Sequence, residues 1–305
     1  TAPKTWTVTH DDAGRITQGA GQLYSWDALD RLVAVQGPDG NVQEAYLWTT
    51  DGFLAARLDA SGQLSTLFAR DSDGELAAAW DVVGESSTTL DLTPAWSATW
   101  GPGTHELLTL EHAGAPPLLA LQSWRRDVMG YVDATDGTAT DLVEYDAHGS
   151  LAVTTPSGVV LCADAADSPC TLPASSPFGF AGAWRSEATG LSWMGARWYS
   201  PRLKQFLSSD PLGYVDAFDS YGYAGFDPIN RWDPSGLASQ SFSNAPSAVD
   251  RAGWYAWGAI HGLSPIPLDG FYDFAPVAQL QAEFDVGRRN GVLAGLMASG
   301  LAIKA

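Results

Sequence analysis

The chain has 305 residues, of which 45% are hydrophobic and 11% aromatic, and this apolar content excludes an intrinsically disordered protein. Its 35 acidic and 16 basic residues give a formal net charge of −19, which repels phosphate backbones and argues against general nucleic-acid binding. The longest apolar run, residues 291–303, is shorter than the roughly 18 to 20 residues of a membrane-spanning helix, so we expect no span.

The N-terminus opens at Thr1 without Met and without a charged-then-apolar leader. We therefore expect a processed product or a piece of a longer chain, and no export signal is visible.

Residues 1–160 show almost no helical periodicity. Short runs of Val, Leu, Thr, Trp and Tyr alternate about every dozen residues with Gly, Asp and Asn clusters, and these residues tolerate the positive backbone angles of hairpin turns. The clearest turn signals lie at residues 37–41, 51–52, 59–62, 73–74 and 136–137. This rhythm predicts many short antiparallel strands.

The same region contains a loose repeat of an aromatic residue, Asp, two variable residues, Gly, a polar residue and an aliphatic residue. Five segments fit it at least in part: residues 10–16, 26–32, 48–54, 70–76 and 145–151. The unit resembles the YD repeat of the RHS family. That resemblance implies a mainly β fold in which a β-ribbon spirals into part of a hollow shell.

Two cysteines, Cys162 and Cys170, bracket a polar stretch in residues 161–176, which have the composition of a linker loop. They could close a surface disulfide in an oxidising compartment or remain free thiols, and the sequence leaves both open. A zinc site is not favoured because neither a Cys-x-x-Cys pair nor a nearby His supplies further ligands. We expect no metal and no other cofactor.

Residues 177–237 are rich in Gly, Pro and aromatic residues, a composition typical of tightly turned β-structure. They closely resemble the RHS repeat-associated core domain, with a lead-in from about residue 123. The motifs that carry the resemblance are residues 126–133, 177–182, 187–191, 195–199, 206–213, 221–223 and 233–237. The resemblance implies a core that plugs the shell.

The resemblance also implies autoproteolysis by two Asp residues in Asp-Pro-x-Gly turns, here Asp210 and Asp233, with the cut between Leu237 and Ala238. Carboxylate peptidases need two neighbouring carboxylates, one as base and one as acid. Pro fixes the backbone after each Asp and Gly permits a tight reversal, so each carboxylate projects from a defined corner. The alternative is a purely structural β-corner, with Asp accepting local N–H bonds.

Arg197 matches a family arginine of the same site and could hold a carboxylate or polarise the scissile carbonyl. The sequence departs from the family pattern nearby, at residues 199–200 and 204–206. Asp227 also precedes a proline, but its turn lacks the Gly. We therefore interpret Asp227 as non-catalytic.

Residues 238–305 form the segment that such a core would release. Ala-rich stretches at residues 246–262 and 276–303 predict helices. The absence of Cys excludes a zinc deaminase site in this tail. His261 is its only His and makes a sparse acid–base set with Asp269, Asp273, Glu283 and Asp285; a structural His is the alternative.

The resemblance implies a secreted bacterial effector carrier, delivered by a secretion system, that encloses its C-terminal cargo and cuts it free. The implied partners are an upstream portion of the same protein or another shell chain, the delivery apparatus, and an immunity protein for the tail. The alternatives are a structural or adhesive YD protein with a vestigial Asp pair, and a toxic enzyme seated in the tail. Residues 1–237 carry a net charge of −18, which we expect to face outward.

Overall fold

The computed structural model describes residues 6–85, 89–164, 170–173, 176–214, 218–241 and 302–304. These residues are mainly β, which confirms the predicted fold class. Their only helices are two 3₁₀ turns, Phe180–Gly182 and Tyr223–Phe226. No helix in the described ranges is long and apolar enough to cross a membrane.

The largest sheet is an antiparallel meander in which each strand pairs with the next in the chain. The predicted short antiparallel strands are therefore confirmed. The meander's strands are β1 (Thr9–His10), β2 (Ile16–Gly19), β3 (Gln22–Trp26), β4 (Leu32–Gln36), β5 (Val42–Trp48), β6 (Leu54–Leu58), β7 (Leu64–Arg70), β8 (Leu76–Glu85), β9 (Thr89–Trp100), β10 (Leu107–His112), β11 (Leu118–Gln122) and β12 (Val128–Asp133).

Three smaller sheets follow the meander. The first contains β13 (Leu142–Tyr145), β14 (Leu151–Thr154) and β15 (Val160–Ala163); the second contains β16 (Trp184–Arg185), β17 (Ser192–Met194), β18 (Arg197–Ser200) and β19 (Gln205–Phe206); the third pairs β20 (Arg231–Trp232) with β21 (Gln240–Ser241). A last strand, β22 (Ala302–Lys304), pairs parallel with β9.

The repeated Asp has a common structural role in the turns of the meander. In the turn after β6, Asp59 Oδ1 accepts N–H bonds from Ser61 at 2.8 Å and from Gln63 at 3.0 Å, and Gly62 has a φ of +80°. The carboxylate thus provides hydrogen-bond acceptors for two backbone N–H groups of the turn that have no partner in the neighbouring strand. The same pattern of bonds to the residues two and four positions on is present at Asp11, Asp27, Asp71 and Asp146.

The aromatic position of the repeat links one repeat to the one before it. Trp26 Nε1 donates to the carbonyl of Ile16, and Trp48 Nε1 donates to that of Leu32, both at 2.8 Å. In each case the acceptor is the aliphatic residue that ends the previous repeat. The loose sequence repeat thus corresponds to a repeated set of hydrogen bonds.

Aromatic side chains from residues 177–207 pack against one face of the meander. Trp198, which is 1% exposed, lies 4.5 Å from Tyr46 between ring centroids and also contacts Trp184 and Trp193. Further pairs across this interface are Trp48 with Trp193, Phe68 with Trp184, and Trp96 and Trp100 with Phe178. The main hydrophobic core therefore lies between the meander and residues 177–207.

Cys162 and Cys170 form a disulfide, with Cα atoms 5.6 Å apart, so the bridged alternative is the one observed. The helices predicted over residues 246–262 and 276–303 lie outside the described residues, except that residues 302 and 303 belong to β22. His261 and the four carboxylates grouped with it also lie outside them.

Among carboxylates whose burial is described, only Glu44, Asp127 and Asp233 are buried. Glu44 accepts hydrogen bonds from Tyr46 and Ser186 and pairs with Arg57, and Asp127 pairs with Arg125. The rest are at least partly exposed, many of them in turns. Their outward direction from a shell stays a prediction.

Replacing Trp198 by Ala should lower the free energy of unfolding by about 3–5 kcal/mol, because the indole fills the interface between the meander and residues 177–207. Chemical denaturation measures the change. Leu29→Ala is the control, since Leu29 is 67% exposed and should change stability by less than about 0.5 kcal/mol. Equal effects of the two variants would contradict this account of the core.

Candidate functional site

Arg197 is the centre of a buried polar cluster. It is the first residue of β18 and is 3% exposed. Its guanidinium carbon lies 3.8 Å from the centre of the Phe206 ring on the neighbouring strand β19. The ring covers one side of the guanidinium, which therefore has a fixed position from which its nitrogens can donate.

Asp210 and Asp233 both contact the Nη2 atom of Arg197. The distances from that nitrogen are 2.9 Å to Asp210 Oδ2 and 3.3 Å to Asp233 Oδ2. The two carboxylate side chains are 8% and 2% exposed. The structure therefore brings together the three residues that the sequence singled out, although they are separated by up to 36 positions in the chain.

The turn that begins at Asp210 fixes one carboxylate. Asp210 N donates to the carbonyl of Ser220 at 2.9 Å, and Asp210 Oδ1 accepts the N–H of Leu212 at 2.8 Å. Arg197 Nη1 donates to the same Ser220 carbonyl at 2.9 Å. One carboxylate oxygen thus holds the turn while the other contacts Arg197.

The turn that begins at Asp233 fixes the other carboxylate and the chain next to the proposed cut. Asp233 Oδ1 accepts the N–H of Leu237 at 3.2 Å. Arg197 Nε donates to the carbonyl of Gly236 at 2.5 Å. Leu237 is half-buried and Ala238 is exposed. The Leu237–Ala238 bond comes immediately after a chain segment that hydrogen bonds to Asp233 and Arg197 hold in place.

The hairpin between β17 and β18 packs closely on this second turn. Ala196 N donates to the carbonyl of Ser235 at 3.0 Å. Gly236 has a φ of +66°, and a Cβ added there would lie 2.7 Å from the carbonyl oxygen of Met194. Glycine is required at this position both by the backbone angle and by the close contact.

The cluster has one cation and two carboxylates. Burial lowers the pKa of the Arg197 guanidinium, and the charges of Asp210 and Asp233 oppose that shift. With both carboxylates ionised the cluster has a charge of −1, and one added proton neutralises it.

Asp227 is placed differently. Both of its carboxylate oxygens accept hydrogen bonds from Asn230 Nδ2 at 2.9 Å, and it is not one of the carboxylates that contact Arg197. The structure therefore separates Asp227 from the cluster. Among the described residues, no group of three or more His, Cys, Asp or Glu is arranged to hold a metal ion.

Sequence reasoning missed three groups that complete the cluster. Phe206 stacks on Arg197, and Ser220 supplies a carbonyl acceptor. Tyr223 packs on Phe206, with ring centroids 6.0 Å apart; it is 2% exposed, and burial raises the pKa of its phenol, with the charge of Asp127 as the next cause in the same direction. Phe206 and Tyr223 belong to the aromatic motifs of residues 206–213 and 221–223, which were the available signal.

Comparison with known proteins gave short stretches of similarity to toxins. No family model matches the chain. The similarity to the toxin subunit YenC1 of Yersinia entomophaga is 37% identity over 70 residues, which is 23% of this chain and 7% of that protein. Toxin protein Tse5 of Pseudomonas aeruginosa is 35% identical over 65 residues, 21% of this chain and 5% of that protein.

A third curated relative is the double-stranded DNA deaminase toxin A of Burkholderia cenocepacia, which is 37% identical over 73 residues, 24% of this chain and 5% of that protein. The chain thus matches only a small fraction of the length of each of these relatives. Among solved structures, TcdB2-TccC3-Cdc42 aligns with 75% of this chain and 11% of its own, at 20% identity and a TM-score of 0.47.

Replacing Gly236 by Ala should destabilise the protein more than the same change at Gly213, the equivalent glycine of the other Asp-Pro-x-Gly turn. Both glycines have positive φ, at +66° and +74°, but a Cβ at Gly213 meets no atom within 4 Å. Gly213→Ala should therefore cost only the backbone strain of about 1–2 kcal/mol. Gly236→Ala should cost at least about twice as much, because the Cβ also displaces the hairpin that bears Arg197.

The free energies of unfolding of the two variants, from chemical denaturation, measure this difference. Equal losses would show that the contact between the Asp233 turn and the β17–β18 hairpin contributes nothing to stability.

Proposed function

We propose that this chain is a member of the RHS family and part of an effector carrier, a proposal supported by its similarity to the toxin subunit YenC1 and to toxin protein Tse5. In this proposal its β-ribbon forms part of a shell around a C-terminal toxin segment. Residues 177–237 then cut that segment free after Leu237. The observation that carries the proposal is the contact of one guanidinium with two carboxylates whose side chains are 8% and 2% exposed, one of which also accepts the N–H of Leu237.

The proposed reaction is hydrolysis of a single peptide bond. A water molecule attacks the carbonyl carbon of Leu237 while one carboxylate of the pair takes a proton from that water. The other carboxylate, in its protonated form, donates its proton to the nitrogen of Ala238 as the C–N bond breaks. The products are a carboxylate on Leu237 and an amine on Ala238, so atoms and protons balance.

Arg197 has two functions in this scheme. Its contact with both carboxylates offsets part of their mutual repulsion and holds them in one place. Its Nε bond to the Gly236 carbonyl fixes the peptide unit that precedes Leu237. The guanidinium thus positions both the acid–base pair and the chain to be cut.

One observation favours a second candidate, a structural or adhesive YD protein. Asp210 and Asp233 each accept a local N–H bond, as the turn-forming Asp59 does. A vestigial pair that only stabilises its corners would use the same bonds. If the pure, folded wild-type chain is not cleaved, the structural or adhesive candidate is supported over the carrier.

We also propose the partners and the location. The small share of each relative's length that this chain covers supports a further shell portion, either upstream in the same protein or in another chain. A toxin carrier also needs a delivery apparatus, with secretion from a bacterium, and an immunity protein for its cargo. The Cys162–Cys170 disulfide supports exposure to an oxidising compartment.

Asp210→Asn and Asp233→Asn should each abolish cleavage, because a single carboxylate cannot act as both base and acid. Asp227→Asn is the matched control and should cleave at the wild-type rate, since Asp227 pairs with Asn230 outside the cluster. Denaturing electrophoresis detects the released piece of 68 residues. Intact mass identifies the broken bond.

The outcomes separate three explanations. Fragments that end at Leu237 support the peptidase. Fragments that end at Asp233 indicate simple acid lability of the Asp233–Pro234 bond, which would not depend on Asp210. A folded wild-type chain that stays intact from mildly acidic to neutral pH would overturn the proteolytic proposal in favour of the structural candidate.

A further inference from the structure

A second site of interest is a cavity of about 400 Å³ between the first strands of the meander and residues 185–190. Its volume is within the range of small-molecule sites. The side chains that line it and that carry the argument are Trp6, Gln22, Gln43, Arg185, Glu187 and Arg202. Neither Arg197 nor the two carboxylates of the candidate site line it, so the cavity is distinct from that site.

Arg185 lines this cavity and carries a charge that the protein compensates poorly. Its side chain is 5% exposed. Nη2 donates to the carbonyl of Cys170 at 3.5 Å, and Nη1 has no hydrogen-bond partner among the described residues. A buried guanidinium normally has a carboxylate in ion-pair contact or a full set of acceptors.

Asp164, the described carboxylate whose charge most favours the ionised form of Arg185, does not fill this role. Asp164 favours the charged form of Arg185, but burial is the larger effect and lowers the pKa of the guanidinium. The two Asp164 oxygens accept the backbone N–H groups of Cys170 at 2.7 Å and Leu151 at 2.9 Å. Asp164 is thus used to hold the loop near the disulfide, and it makes no ion pair with Arg185 in the described part of the chain.

The rest of the lining adds positive charge and donors. Arg202 lies 5.0 Å from the centre of the Trp6 ring, and the two form part of the same cavity wall. Gln22 Nε2 donates to Gln43 Oε1 at 3.0 Å and to the carbonyl of Thr189 at 2.9 Å. Gln43 uses its oxygen in this bond, so its Nε2 is the group that remains to donate.

The charge balance of the cavity is opposite to that of the protein. Among the described residues that line it, two carry a guanidinium and one carries a carboxylate, Glu187, which is exposed. The whole chain has a net charge of −19. A concave site with locally positive charge in an acidic protein attracts anions, and an anion there would compensate the buried charge of Arg185.

We propose that this cavity binds a small molecule or side chain through a carboxylate or phosphate group, held by the guanidinium of Arg185. Both groups present negatively charged oxygens to guanidiniums in the same way. The volume leaves room for several atoms beyond the charged group. This site does not depend on the proposed cleavage.

The test is titration calorimetry of the full chain with two probes, inorganic phosphate and glutarate. We expect saturable binding of at least one probe. Arg185→Gln should weaken that binding at least about tenfold, because it removes the buried cation. Gln43→Glu should weaken it similarly by placing a negative charge in the lining, and it keeps the proposal testable if Arg185→Gln fails to fold.

Lys204→Gln is the matched control, since it also removes one positive charge but affects an exposed residue that does not line the cavity. It should leave binding unchanged within about twofold. The proposal is overturned if neither probe binds saturably up to about 20 mM, a limit that corresponds to a very weak site. It is also overturned if Lys204→Gln and Gln43→Glu reduce binding equally, which would indicate diffuse attraction.

Discussion

The alternation of side chains along strand β18 connects the core of the protein to its candidate site. Trp198 lies in the aromatic core against the meander, while Arg197 and Tyr199, on the other face, contact Phe206. Since side chains on a strand alternate between its two faces, burying Trp198 fixes the direction of Arg197. The position of the guanidinium, and with it the two carboxylates, therefore depends on how residues 177–207 pack on the meander.

Asp carboxylates hold many turns of the chain, and at Asp210 and Asp233 two of these carboxylates share one buried cation. Asp59 holds its hairpin turn through the backbone N–H groups of Ser61 and Gln63 and the hydroxyl of Ser61. Asp210 and Asp233 also hold turns through Oδ1, but their Oδ2 atoms reach a buried cation. The difference between these two Asp residues and Asp59 therefore comes from the arginine packed against their turns. The local hydrogen bonds that hold the turns are of the same kind.

The sequence predicted those structural features that depend on residues close together in the chain. The strands and turns of the meander followed from alternating apolar runs and from Asp and Gly in the turns, because these signals act over a few residues. The grouping of Arg197, Asp210 and Asp233 came from the family resemblance, since no local pattern reports a contact across 36 positions. The stacking of Phe206 on Arg197 and the poorly compensated charge of Arg185 depend on tertiary packing, so the sequence did not predict them. The sequence also did not decide whether Cys162 and Cys170 form a disulfide or stay free thiols.

The proposed peptidase differs from an ordinary enzyme in how it meets its substrate. Leu237 lies four residues after Asp233 in one turn, and Asp233 accepts its N–H. A catalytic group tied covalently to its target has already met the entropic cost of association, so the site needs no cleft to select a substrate. Each chain would perform this reaction only once. The closely packed turn at Gly236 and the buried position of Arg197 therefore do not have to admit and release successive substrates. The cavity beside Arg185 is separate from this turn, since Arg197, Asp210, Asp233 and Leu237 are not among its lining residues.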